Sequence, residues 1–215
     1  WSSDVCSSDL SSPGGDLLAG LCRQWEEAAE SATALGIRVV RLRTGVVLGR
    51  AGGALGPMLP LFRLGLGGPI GSGRQYVPWI HLHDLVKVIA VAIADYRYRG
   101  PVNGVAPEQA TSRSFARALG RALHRPALLP LPAFVLKAVF GEAATVLLAS
   151  QRVEPRALQE RQFAFQFPAL AEALADIGEG APVAIGIARQ PPEGAAGARY
   201  ELRTRAVIDA PLDAV

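Results

Sequence analysis

Apolar side chains recur at Leu17, Leu18, Leu21, Cys22, Trp25, Ala28, Ala29 and Ala32, the spacing of one helical face, with Arg23, Gln24, Glu27 and Glu30 opposite. A helix over 16–35 follows, ended by Gly36 as a left-handed C′ residue. The β-branched run Ile37–Leu42 reads as a strand. Helix, glycine and strand in that order form the αβ half of a βαβ unit, which predicts a parallel sheet whose earlier strands are absent from this chain. Thr44–Gly56 leaves the carboxyl end of that strand, where open α/β sheets place their ligand crevice. From spacing alone a flexible surface loop has equal standing there.

The stretch Gly65–Leu85 organises the middle of the chain. Seven residues from Gly65 to Gly73 are Gly, Pro or Ser, too many for a helix or strand to persist. Tyr76 to His81 then alternates as one short strand, placed at an edge because Pro78 lacks a ladder donor. Asp84 is the expected N-cap of a buried helix over Leu85–Asp95, which is apolar almost all round. Val102–Ala106 reads as a strand, and Thr111 or Ser112 caps a helix carrying Phe115, Leu119, Ala122 and Leu123. Pro132, Pro155 and Pro168 each suit the first turn of a helix, so 130–177 reads as a small helical cap. Three phenylalanines in Arg161–Leu174 fit its core. Gly and Pro then mark a linker, and Arg199–Val215 begins a new strand that the chain leaves unfinished.

Half of the 215 residues are hydrophobic and 19% are charged, which excludes a disordered chain. The net charge of +3 comes from scattered arginines without interleaved aromatics, so no nucleic-acid partner is expected. Pro130, Pro132, Lys137, Gly141 and Glu142 break the apolar stretch Ala127–Ser150, so no membrane partner is expected either. Two cysteines make no disulfide framework, and a cytoplasmic location is expected. Trp1–Leu10 matches, residue for residue, one reading frame of a common sequencing adapter and is taken as an artefact, the alternative being a Ser-rich leader.

Candidate chemistry is sparse. His81 and His83 would share a strand face, but no third ligand arrives at matching spacing and no metal site is expected. His81 suits either pocket lining or a structural hydrogen bond. Ser72 lacks a nucleophile elbow, and Cys22 reads as an inert thiol. Arg74 could reach an anionic ligand, with a solvated side chain as the default. No nucleophile–base pair emerges, and the catalytic residues stay unknown.

The blocks PGGD…LCRQWEEAA, RTGVVLGR, GLGGPIGSGRQYVPWIHLHDL, PVNGVAP and SQRVEPRAL…FAFQFPALAEAL occur in an order that resembles the epimerase family of atypical short-chain dehydrogenases/reductases, over residues 11–178. The resemblance implies an α/β chain: the C-terminal half of a Rossmann-like, extended short-chain dehydrogenase fold over 11–129, with a small helical C-terminal cap over 130–178. It implies an NADP or NAD cofactor, with Thr44, Gly45, Val46 and Val47 holding the nicotinamide end and Arg74, Trp79 and His81 lining the pocket of a small-molecule substrate. The family's glycine fingerprint would precede Ser11. The function implied is hydride transfer on an unidentified carbonyl or alcohol. The superfamily's Tyr–Lys pair falls on Leu18 and Cys22, which favours as the rival a dinucleotide-binding regulator without turnover; a purely structural helical-cap protein is the third reading. Gln162 stands where a glycine is usual and predicts a locally altered turn. After a linker over 179–198, residues 199–215 resemble the truncated start of a START-like domain.

Overall fold

The computed structural model describes residues 17–50, 52–53, 55–56, 58–130 and 150–179. The adapter-like decapeptide, the helix start at Pro132, the linker expected over 179–198 apart from Glu179, which is helical, and the START-like tail lie outside them. Helix α1 (Leu17–Glu30) continues as a 3-10 turn over Ser31–Leu35. Gly36, at φ 77°, closes it: its N–H donates to Thr33 O and that of Ile37 to Ala32 O, the paired bonds of a left-handed cap. Those bonds hold Ile37 to the helix end, so strand β1 begins only at Val40 and runs to Thr44. The helical face differs from expectation as well. Leu21 and Trp25 are exposed, and α1 is held to β1 by ion pairs from Glu26 to Arg41 and Arg43 and from Glu30 to Arg41.

Beyond β1 come β2 (Val46–Gly49), β3 (Gly52–Gly53), α2 (Leu59–Arg63), β4 (Tyr76–Val77) and β5 (Trp79–His81). They are followed by α3 (Leu82–Ala94), β6 (Gly100–Gly104), β7 (Ala110–Thr111) and α4 (Ser112–Ala122). The last two described helices are α5 (Arg156–Glu160) and α6 (Leu170–Glu179). β1 pairs in parallel with β6, β2 in parallel with β5, and β4 antiparallel with β7. The single strand expected over Tyr76–His81 is therefore two, in different sheets. Pro78 is the break, since it has no N–H to continue a ladder. Val46 and Val47, expected in a loop, belong to β2.

Two buried clusters flank these strands. One joins Leu48 and Trp79 to Phe115 and Leu119 of α4 and to Leu170, Ala173, Leu174 and Ile177 of α6. The other gathers Ile80, Val88, Ala92, Tyr98, Val102 and Leu158. Helix α3 is less buried than its composition predicts. Val88 and Ala92 face the core, whereas Leu82, Val86, Ile89 and Ile93 form an outward apolar stripe. Thr111 caps α4 through a reciprocal box with Ser114, and Ser112 is the first helical residue. Pro155 sits at the N-cap of α5. Gln162 adopts φ 54°, the left-handed turn that a glycine would enter without strain.

Candidate cofactor and substrate site

At Gly45 the chain changes strand partner within one residue. Thr44 is still paired with Gly104 of β6, and Gly45 N–H donates to Gly104 O at 3.1 Å. Val46 N–H then donates to Pro78 O at 2.8 Å, and β2 runs in register with β5: Val46 opposite Trp79, Val47 opposite Ile80, Leu48 opposite His81. A Cβ on Gly45 would lie 2.9 Å from the Pro78 carbonyl and from a Val105 methyl. Only glycine fits this crossing without displacing backbone. Thr44 is exposed at the strand end, while Val46 and Val47 alternate between the two core clusters.

The structure thus brings Thr44–Val47 alongside Trp79 and His81. Trp79 is buried at 1% exposure, and its indole N–H donates to Glu108 O at 2.9 Å. Arg74 is exposed in the turn before β4, with its backbone N–H donating to Ser72 Oγ, and is apart from this strand pair in the chain's pairing.

His81 ends β5 and caps α3. Its Nδ1 accepts from His83 N–H at 3.2 Å, so the neutral ring carries its proton on Nε2. Nε2 lies 3.4 Å from Asp176 Oδ2 on α6, a contact too poorly aligned to be a hydrogen bond, and has no such partner among the described residues. Asp176 is itself gripped by Arg50: Nη2 donates to Oδ1 at 2.8 Å and Nε to the Asp176 carbonyl at 3.0 Å. The Phe167 ring leans on the imidazole with centroids 4.0 Å apart. Burial pushes the His81 pKa below the ordinary histidine value, and the Asp176 carboxylate is the largest influence opposing it. With one ring nitrogen accepting from the backbone and the other aimed at Asp176, the imidazole serves as a clasp between strand and cap.

Asp84 does not cap α3. It lies inside the first turn, fully buried, and its two carboxylate oxygens accept from Gln166 N–H at 2.8 Å and Phe167 N–H at 2.9 Å. His81 occupies the cap position because its Nδ1 reaches the His83 amide, leaving Asp84 free to fasten the segment that carries Phe167. Glu108 acts similarly, accepting from Leu170 N–H at 2.7 Å at the start of α6. Sequence reasoning missed Asp176, Arg50 and Glu108. The one available signal was Asp84 itself, a carboxylate at the head of an apolar run that must find donors if buried. Among the described residues no three His, Cys, Asp or Glu side chains gather as a metal would require.

Parallel strand pairs flanked by helices define a Rossmann-type α/β protein. Residues 131–177 match a family described as a domain of unknown function, DUF1731. The chain is 49% identical over 172 residues to the epimerase family protein SDR39U1 of Mus musculus, covering 79% of this chain and 58% of that protein. It superimposes on the crystal structure of the human epimerase family protein SDR39U1 with NADPH at a TM-score of 0.77 and 45% identity, covering 84% of this chain and 61% of that one. A nucleoside-diphosphate sugar epimerase from Corynebacterium glutamicum aligns at a TM-score of 0.65 and 32% identity, with 80% and 33% covered. The chain belongs to the epimerase family of atypical short-chain dehydrogenases/reductases. It spans just over half the length of the mouse relative.

Proposed function

We propose that this chain supplies the nicotinamide-end wall of an NADP(H)- or NAD(H)-binding, epimerase-like oxidoreductase that transfers hydride to or from a small carbonyl or alcohol. The observation that carries the reading is the crossing at Gly45, where the chain leaves the carboxyl end of parallel strand β1 through a position that only glycine fits, the end at which open α/β sheets bind their ligands. The human relative's structure with NADPH supports the choice of cofactor. In this reading Thr44 to Val47 meet the ribose and nicotinamide through main-chain groups. Trp79 and His81 stiffen the wall from behind, and Arg74 is left for an anionic portion of the substrate.

A second reading, a dinucleotide-binding regulator without turnover, is favoured by the burial of His81, whose Nδ1 is taken by the His83 amide, and by Leu18 and Cys22 at the pair of positions expected for Tyr and Lys. The test is NADPH titration and steady-state NADPH oxidation against a carbonyl panel, made on the product of the source locus after sequencing across both ends. Saturable binding that Gly45→Ala weakens, with oxidation in the presence of a carbonyl, is the expected result. Binding without oxidation points to the regulator. Absence of binding removes both readings.

A further inference from the structure

Away from the strand crossing, a cleft of about 400 Å³ opens between α4 and the glycine-rich loop, lined by Pro69, Gly71, Ser72, Arg113 and Arg117 and closed by Ala127, Leu128 and Pro130. That volume is in the range of small-molecule sites. None of its lining residues belongs to the site described above. Arg113 and Arg117 are one helical turn apart on α4, so their guanidinium groups leave the same face. Arg113 Nη2 donates to Ser72 O at 3.3 Å, which uses one of its five donors. Arg117 has no hydrogen-bond or ion-pair partner among the described residues, and the described lining contains no carboxylate.

The walls are tied in place. Ile70 N–H donates to Ser112 Oγ at 2.9 Å, Arg113 N–H to Gly73 O at 3.0 Å, and Gln75 Nε2 to Ile70 O at 2.8 Å, so the loop is anchored to the start of α4. On the far side Arg125 N–H donates to Gly120 O and Leu129 N–H to Gly67 O. A Cβ on Gly68 would fall 2.0 Å from Leu129 O. The glycine therefore lets the Ala127–Pro130 segment close the cleft. Two cations with an apolar wall and fixed edges make a pre-organised receptor for an anion carrying an uncharged body.

We propose that this cleft is an anion-binding site for a phosphorylated small molecule, with the forks of Arg117 and Arg113 on the phosphoryl oxygens and the organic portion against Pro69, Ala127 and Leu128. Planar guanidinium forks match phosphoryl oxygens in paired, charge-assisted hydrogen bonds. The proposal does not depend on the dinucleotide reading.

The test is isothermal titration of the full chain with inorganic pyrophosphate, repeated for Arg117→Gln, Arg117→Lys, Arg113→Gln and, as a control on exposed α1, Arg23→Gln, each first checked for an unchanged circular-dichroism spectrum. The expected result is saturable binding that weakens about tenfold in Arg117→Gln, less in Arg117→Lys, and stays unchanged in Arg23→Gln. Should Arg117→Gln misfold, Arg113→Gln carries the same expectation from the other fork. Absence of saturable binding overturns the proposal, as does binding indifferent to both arginines. So does equal displacement by acetate, which would mark general anion attraction. Pyrophosphate that NADPH displaces while Arg117→Gln leaves it untouched belongs at the dinucleotide site and also overturns the proposal.

Discussion

His81 shows how one side chain comes to link two parts of a fold. Its ring is buried, in tilted contact with Phe167 and aimed at Asp176, and burial holds its pKa below the ordinary value despite that carboxylate. The unfolded chain, with histidine near about 6.5, therefore binds this proton more readily than the folded one. Stability from His81 is complete above about pH 6.5 and is lost as pH falls through the lower folded pKa. Glu26 is also shifted down, chiefly by its hydrogen bond from Arg43, but from the carboxylate range, so its contribution is lost only at more acidic pH. Urea midpoints at pH 7.5 and 5.5 should differ in the native chain, and His81→Gln should remove most of that difference. A slope unchanged by the substitution would assign the acid sensitivity elsewhere.

At the scale of elements, the fold depends on carboxylates that receive backbone amides from distant segments. Asp84 carries the amides of Gln166 and Phe167, and Glu108 that of Leu170, so α3 and the loop between β6 and β7 set where the C-terminal segment begins. Hydrogen bonds to a charged acceptor are worth about 1.5–3 kcal/mol each. Asp84→Ala leaves two part-buried backbone donors without their acceptor and should cost about 3 kcal/mol in urea unfolding. Asp84→Asn keeps one acceptor oxygen and should cost about half as much. Hydrogen exchange should report the same break locally, with faster exchange at Gln166 and Phe167 while the amides of β1 and β6 stay protected.

At the scale of the whole molecule, the described residues leave apolar surface facing outward. Leu82, Val86, Ile89 and Ile93 form one stripe of α3, and β1 is paired on one edge only among the described residues. Parallel strands are normally covered on both faces, and an exposed stripe of this kind attracts apolar partners. The chain should therefore enhance the fluorescence of an apolar dye in its folded state. Ile89→Glu with Ile93→Lys should suppress that signal without changing the helical circular dichroism. Equal dye binding by the double variant would show that the stripe is already covered.

Local rules of the chain determined the αβ order, the left-handed stop at Gly36 after the 3-10 turn that extends α1, the cap at Thr111 and the family pattern around Gly45. Each is a matter of spacing or backbone freedom within a few residues, and such preferences act before any tertiary contact forms. Tertiary structure decided what spacing leaves open. Pro78 divides one alternating run between two sheets because the neighbouring strands differ on either side of it. Asp84 is drawn from the cap position by donors more than eighty residues away. Asp176 and Arg50 meet at His81 only after α6 docks, since a long-range ion pair has no signature in sequence spacing. The same holds for the α4 cleft, whose arginines are two among the chain's scattered basic residues until the glycine loop and the Ala127–Pro130 segment close beside them.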